Sequence, residues 1–405
     1  VIIKNQFGVP NWMSQLGNAA NFIAYAFMGI PAGMLLKRIG YKKTALAAIA
    51  VGIVGVGTQF FSGIVPENMA FAIYLTGAFV AGFSMCMLNT VVNPMLNTLG
   101  GGGKRGNQLI QFGGSLNSIS ATIVPVFVGY LMGNVATATI NKANPALFIA
   151  IGIFALAFIV LYFMQIPEPA QEIEAQKESA EGVKDPHSAL SFRHFILGAV
   201  AIFLYVGVEV GIPNFVNLFL STPVDAVDSV PGLGYEAALA GSICGTYWFL
   251  MLIGRLFGGF LGAKFSSKAM LTFVSLLGLL FVLLAIFLPE TIKVDMPVFQ
   301  SDISFGLAEV PIGIMFLILC GLCTSVMWGG IFNLAVEGLG KYTAMASGIF
   351  MVMVCGGGIL PLIQGGVADL FGYMASYWVV FAALIYMLYY ALIGCKNVNK
   401  NIPVD

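Results

Sequence analysis

Glu209 is the residue whose type and place could do chemistry. It stands in Phe203-Leu-Tyr-Val-Gly-Val-Glu-Val210, deep inside a long apolar run. A charge at the centre of a membrane helix costs about 2.5–3.5 kcal/mol on insertion scales, so such a residue faces the protein interior or a cavity. A carboxyl there can take up a proton from one side and release it to the other. The other reading is a structural carboxylate bonded to neighbouring helices.

Amides are the second resource. Asn89 and Asn93 are four apart, on one face of a helix, and Asn117 projects from the next apolar run with Gln111 nearer its start. Asn214 and Asn217 follow Glu209, with Pro213 expected to open the helix between them, and Gln364 follows Pro361. An amide offers both donors and acceptors, as sugar hydroxyls require. In lipid, amides also join helices, and Pro94 could make Asn93 a kink partner. Tyr247, Trp248 and Trp328, the last beside Gly329 and Gly330, could stack on the apolar face of a sugar ring; packing is the alternative. Arg38, Arg255, Asn333, Glu337 and Lys341 fall toward the ends of their runs, where gating or structural contacts are expected rather than ligand contacts.

Other chemistries find little support. The chain has 2 histidines, His187 and His194, and no paired carboxylates inside an apolar run, so neither an enzyme, nor a metal site, nor a cofactor is expected. The 6 cysteines are expected to be small packing residues, including Cys320 and Cys323 on one helical face. The glycine run Gly100–Gly103 before Lys104-Arg105 follows no strand and lacks a Gly-Lys-Ser/Thr ending, so it reads as a hinge. Net charge is +0, which points away from nucleic acid.

The elements that must position these residues are membrane helices. The chain is 59% hydrophobic and 9% charged, where soluble domains carry about 25% charge. A spanning helix needs about 20 mostly apolar residues. The reading is an all-α polytopic membrane protein with spans at 11–36, 44–63, 69–97, 107–133, 146–165, 195–221, 237–262, 268–288, 311–336, 342–370 and 375–395. Of 18 Lys and Arg residues, all but Lys4, Lys142 and Lys293 fall in alternate loops, which are therefore expected to be cytoplasmic, as is the C-terminus. Twelve spans with both ends inside would need one more helix before residue 1, so the first helix is expected to be largely missing from this chain.

The longest polar break divides the chain into an N-terminal half (1–166), a cytoplasmic linker (167–194) and a C-terminal half (195–405). The halves repeat weakly. Residues 33–45 align with 259–271, pairing Arg38 with Lys264 and Lys42 with Lys268, and residues 93–100 align with 333–340. Parallel repeats of this kind place a site between the halves near the bilayer midplane and work by rocking.

Motifs narrow the reading. Gly33-x-x-x-x-Arg38-x-Gly40-x-Lys42-Lys43 resembles the loop signature of the major facilitator superfamily, with Lys37 at the usual aspartate position. The stretches 203–210, Gly254-Arg255, 337–348, 357–369, Asn93-Pro94 and Leu99-Gly100 resemble the fucose/glucose–galactose permease family. The resemblance implies a major facilitator fold of two six-helix halves. It also implies transport of a neutral monosaccharide across the bacterial inner membrane by alternating access, usually as proton symport. Three departures stand out. Leu88-Asn89-Thr90 replaces the family's Leu-Glu-Thr, the family's other coupling acid lies in the first helix, and its Gln-x-x-Asn pair is Gly114 and Asn117 here. The partners expected are a small neutral sugar, a proton and the lipid bilayer, for a chain acting as a monomer. Uncoupled transport, sodium coupling and a non-transporting sugar sensor are the alternatives.

Overall fold

Backbone that crosses lipid must satisfy its own polar groups, so runs this long and apolar fold as helices. A computed structural model describes residues 10–99, 103–132, 143–166, 187–225, 230–262, 264–299, 304–339, 342–399 and 401–404. The first half comprises α1 (Asn11–Ser14), α2 (Leu16–Ser62), α3 (Glu67–Leu99), α4 (Gly103–Met132) and α5 (Asn144–Phe163). The second comprises α6 (Arg193–Ser221), α7 (Ala237–Leu261), α8 (Ser267–Phe287), α9 (Ile312–Thr324), α10 (Met327–Val336), α11 (Thr343–Met353), α12 (Gly356–Phe371) and α13 (Tyr373–Tyr389). Among the described residues, 10 segments are long and apolar enough to cross a membrane. The fourth expected span is the 30-residue α4. Most of the 167–194 linker lies outside the described residues.

Two expected spans are the legs of one kinked helix. α2 carries the chain through the first basic turn without a loop, and the kink is at Gly40, with φ 80° and ψ 177°. That backbone region is closed to side chains with a Cβ, which accounts for the glycine in the Arg38-x-Gly40 turn. The Thr44 hydroxyl donates to the Gly40 carbonyl at 2.7 Å, and Lys42 Nζ donates to the carbonyl of Tyr162 at the end of α5 at 2.8 Å.

Other breaks fall where no proline stands. The span expected at 311–336 divides between α9 and α10 at Ser325-Val326, and that at 342–370 divides between α11 and α12 at Val354-Cys355. Pro361 and Pro213 lie inside continuous helices. The expected opening at Pro213 does not occur. The Tyr377 hydroxyl donates to the Ile212 carbonyl at 3.1 Å and Cys244 Sγ donates to the Pro213 carbonyl at 3.3 Å, so neighbouring helices serve the backbone at the proline.

The all-helical expectation missed one element. Between α8 and α9, strands β1 (Lys293–Phe299) and β2 (Phe305–Pro311) form an antiparallel hairpin, pairing Lys293 with Pro311 and Phe299 with Phe305. Its inner face, Met296, Val298, Ala308 and Val310, is buried. The Phe299 N–H donates to Thr246 Oγ1 on α7 at 3.1 Å, and the Phe299 and Phe305 rings pack on Phe249.

α6 is the most buried of the spanning segments, whereas α5 has no buried residue and lies at the rim of the bundle. The halves meet along two seams. α2 packs on α11 and α12, and α4 packs on α7. The first seam depends on small residues. A Cβ on Gly358 would lie 2.8 Å from the Ala19 carbonyl oxygen, and one on Gly29 would lie 2.8 Å from Val352 Cγ2. Only glycine permits approaches this close.

Candidate functional site

Glu209 sits midway along α6 and meets Arg255 of α7, with Oε1 3.2 Å from Nη2. The two side chains are only 15% and 12% exposed, so each is the other's counter-charge in a dry setting. The other terminal nitrogen, Nη1, turns to the opposite half, donating to the Gly114 carbonyl at 2.9 Å and to Ser118 Oγ at 2.7 Å on α4. A Cβ on Gly114 would stand 3.8 Å from Nη1, in ordinary contact with the guanidinium.

Aromatic residues wall the pair. Tyr205, one turn before Glu209 on the same face of α6, is fully buried beside both charges. Its ring lies 6.2 Å from the half-buried Trp328. Tyr247 is also fully buried, in hydrogen-bonding contact with Thr324 Oγ1 at 3.0 Å, and stands edge-on to the half-buried Trp248 at 5.3 Å. The structure thus gathers Glu209, Arg255, Tyr247 and Trp328 around Tyr205, with Trp248 against Tyr247. Asn117 is exposed on α4, one residue before Ser118.

The remaining amides are distributed elsewhere. Asn89 is exposed and donates to the Tyr25 hydroxyl at 2.7 Å, joining α3 to α2. Asn214 donates to Gln15 Oε1 at 3.1 Å, across the two halves. Asn217 is half-buried, and its backbone carbonyl accepts from Ser221 Oγ at 2.6 Å. Gln364 is fully buried against α6. Its Nε2 donates to Ser376 Oγ at 3.3 Å and its Oε1 faces Gly211, where a Cβ would lie 2.6 Å away. Gln364 thus serves packing between helices in this conformation. The side chains of Asn93 and Gln111, and residue Lys341, lie outside the described residues.

Arg38, beside the kink of α2, and Asn333 and Glu337, at the end of α10, are exposed. The Glu337 carbonyl lies 3.0 Å from His194 Nε2. Arg255, grouped with these residues in the sequence, pairs instead with Glu209 of the neighbouring α6 and with α4 of the other half. Sequence reasoning did not single out Tyr205, Tyr25, Gln15 or Ser118. For Tyr205 a signal existed, its four-residue spacing from Glu209; for the others the pairing is between helices. Among the described residues no cluster of His, Cys, Asp and Glu could hold a metal ion. Chemically, the site offers one carboxyl able to exchange a proton, a guanidinium that follows its charge, and aromatic faces for an apolar surface.

Known proteins agree with this architecture. The chain is 29% identical over 400 residues to a protein named glucose/galactose transporter from Brucella abortus biovar 1 (strain 9-941), covering 98% of this chain and 88% of that one. It is 23% identical over 389 residues to the L-fucose-proton symporter of Escherichia coli K12, covering 91% and 82%. A crystal structure of the Escherichia coli fucose:proton symporter superposes with a TM-score of 0.66 at 20% identity, covering 97% of this chain and 93% of that one, which shows a shared fold. Residues 1–361 match the family described as the Major Facilitator Superfamily. The chain, a multi-pass helical membrane protein, belongs to the Major Facilitator Superfamily.

Proposed function

We propose that this protein carries a neutral monosaccharide of the glucose, galactose or fucose type across the bacterial inner membrane together with a proton. The observation that carries the reading is the Glu209–Arg255 pair, held at 3.2 Å midway along α6 beside the seam between the halves. The names of the relatives, a glucose/galactose transporter and an L-fucose-proton symporter, support the substrate class and the coupling ion.

Glu209 is the titrating group. When it is ionised, Arg255 neutralises it; when it takes a proton, the guanidinium loses its counter-charge and the pair rearranges. A ligand moves such an equilibrium only through its differential affinity for the two states. Asn89, Asn117, Asn217 and the faces of Trp248 and Trp328 form the sugar cradle. Asn93, Gln111, Tyr247 and Gln364 complete it as the halves rock, and Asn214, which reaches the first half through Gln15 at 3.1 Å, acts on that rocking and not on sugar affinity. Arg38, Asn333, Glu337 and Lys341 act at the cytoplasmic gate, and the C-terminus is cytoplasmic, on the strength of the loop charges. The transporter works as a monomer, because each chain carries both halves of the seam.

The reading is tested by uptake of radiolabelled glucose, galactose and fucose into proteoliposomes, with and without an inward proton gradient. Uptake of one of them, accelerated by the gradient, is expected. Uptake that follows a sodium gradient instead would remove the proton, and no uptake of any neutral hexose would remove the substrate class.

A further inference from the structure

We infer that Arg255 is a latch between the two halves, with Gly114 and Ser118 of α4 as its catch. The guanidinium makes bonds of two kinds. Its contact with Glu209 at 3.2 Å lies within the second half, whereas its bonds to the Gly114 carbonyl at 2.9 Å and Ser118 Oγ at 2.7 Å cross to the first. Rocking of one half against the other leaves contacts within a half in place and breaks those between halves. The cross-seam bonds of Arg255 are therefore made and broken in the cycle, while the ion pair travels with its own half.

That division solves an electrostatic difficulty. A latch built from one charge on each half would leave two unpaired ions in a dry membrane interior each time it opened, at heavy cost. Here the catch is uncharged, a backbone carbonyl and a hydroxyl, and a guanidinium released while Glu209 is ionised keeps that carboxylate as its counter-charge. The groups facing the pair from the packed elements are neutral as well, Tyr205 on α6 and Tyr247 on α7.

Residue types fit the task. Arginine alone among the cations presents two terminal nitrogens in a fixed fork, so one can hold the carboxylate while the other crosses the seam. At Gly114, the Cβ position 3.8 Å from Nη1 leaves room for alanine but sets a longer side chain against the guanidinium. Arg255 lies toward the Leu261 end of α7 and Gly114 toward the Gly103 end of α4, so the latch closes the seam on the side of the basic turns. The inference stands whether or not Glu209 carries the coupling proton.

The test is hydrogen–deuterium exchange by mass spectrometry on the protein in lipid nanodiscs, with Ser118→Ala, Gly114→Leu and Arg255→Lys. Each should raise exchange in segments 103–132 and 237–261 by about fivefold, the shift in equilibrium that loss of one ordinary hydrogen bond gives, leaving 373–394 unchanged. Ser118→Ala removes one hydroxyl and no charge, so it decides the matter even where Gly114→Leu fails to fold. Unchanged exchange in both segments for Ser118→Ala would overturn the latch, as would a rise spread evenly over all helices.

Discussion

Glu209 and Arg255 stand one helix apart with 3.2 Å between Oε1 and Nη2, and each lacks any comparable charge partner among the described residues. Removing one partner of such a buried pair strands the other, at a cost of about 3–5 kcal/mol, whereas replacing both with neutral groups is often near neutral. Arg255→Leu should therefore lower the melting temperature in detergent by several degrees, and Glu209→Gln/Arg255→Leu should recover most of the loss. A double variant as unstable as the single one would show that the pair is not the source of the effect.

Asn89 and Asn214 should part company in kinetics. Asn89 is exposed while bonded to Tyr25, whereas the Asn214 amide is engaged with Gln15 across the seam. Asn89→Ala is expected to raise the sugar KM at least about tenfold, on the order of one or two lost hydrogen bonds. Asn214→Ala should leave KM within about twofold and alter the maximal rate instead. Saturation curves for uptake distinguish the two, and equal KM effects would count against this assignment.

Gly40 holds φ at 80°, a backbone conformation costly for residues with a Cβ. Gly40→Ala is expected to destabilise the protein by about 1 kcal/mol or more, read as a lower melting temperature, while Gly33→Ala, with open space around its Cβ position, stays near the parent. Equal melting temperatures for the two variants would contradict the reading of the kink.

Much of this architecture was legible in the residues. Apolar run length located the helices, whereas the loop expected around Arg38-x-Gly40 is a kink inside one helix, set by the φ of Gly40 and not by run length. Glu209 was legible because a carboxyl among valines has few places to go. The hairpin was not, since its alternation is interrupted by Pro297 and its place is set by Thr246 and Phe249 on another helix. The partner of Arg255 was not legible, because position along a helix says little about where a long side chain reaches. The face presented by Gln364 was hidden for a related reason: helices apolar on all sides carry no periodic signal to show which side meets a neighbour.

The central claim is that Glu209 carries the coupled proton, and one measurement addresses it directly. The protein and its Glu209→Gln variant are reconstituted in lightly buffered liposomes, and the external pH is followed as the transported sugar is added outside. The account predicts alkalinisation with the parent protein. It predicts none with Glu209→Gln, which should still exchange labelled for unlabelled sugar at equal concentrations on both sides. Sugar-driven alkalinisation that persists in Glu209→Gln would contradict the account and leave the Glu209–Arg255 pair a structural element.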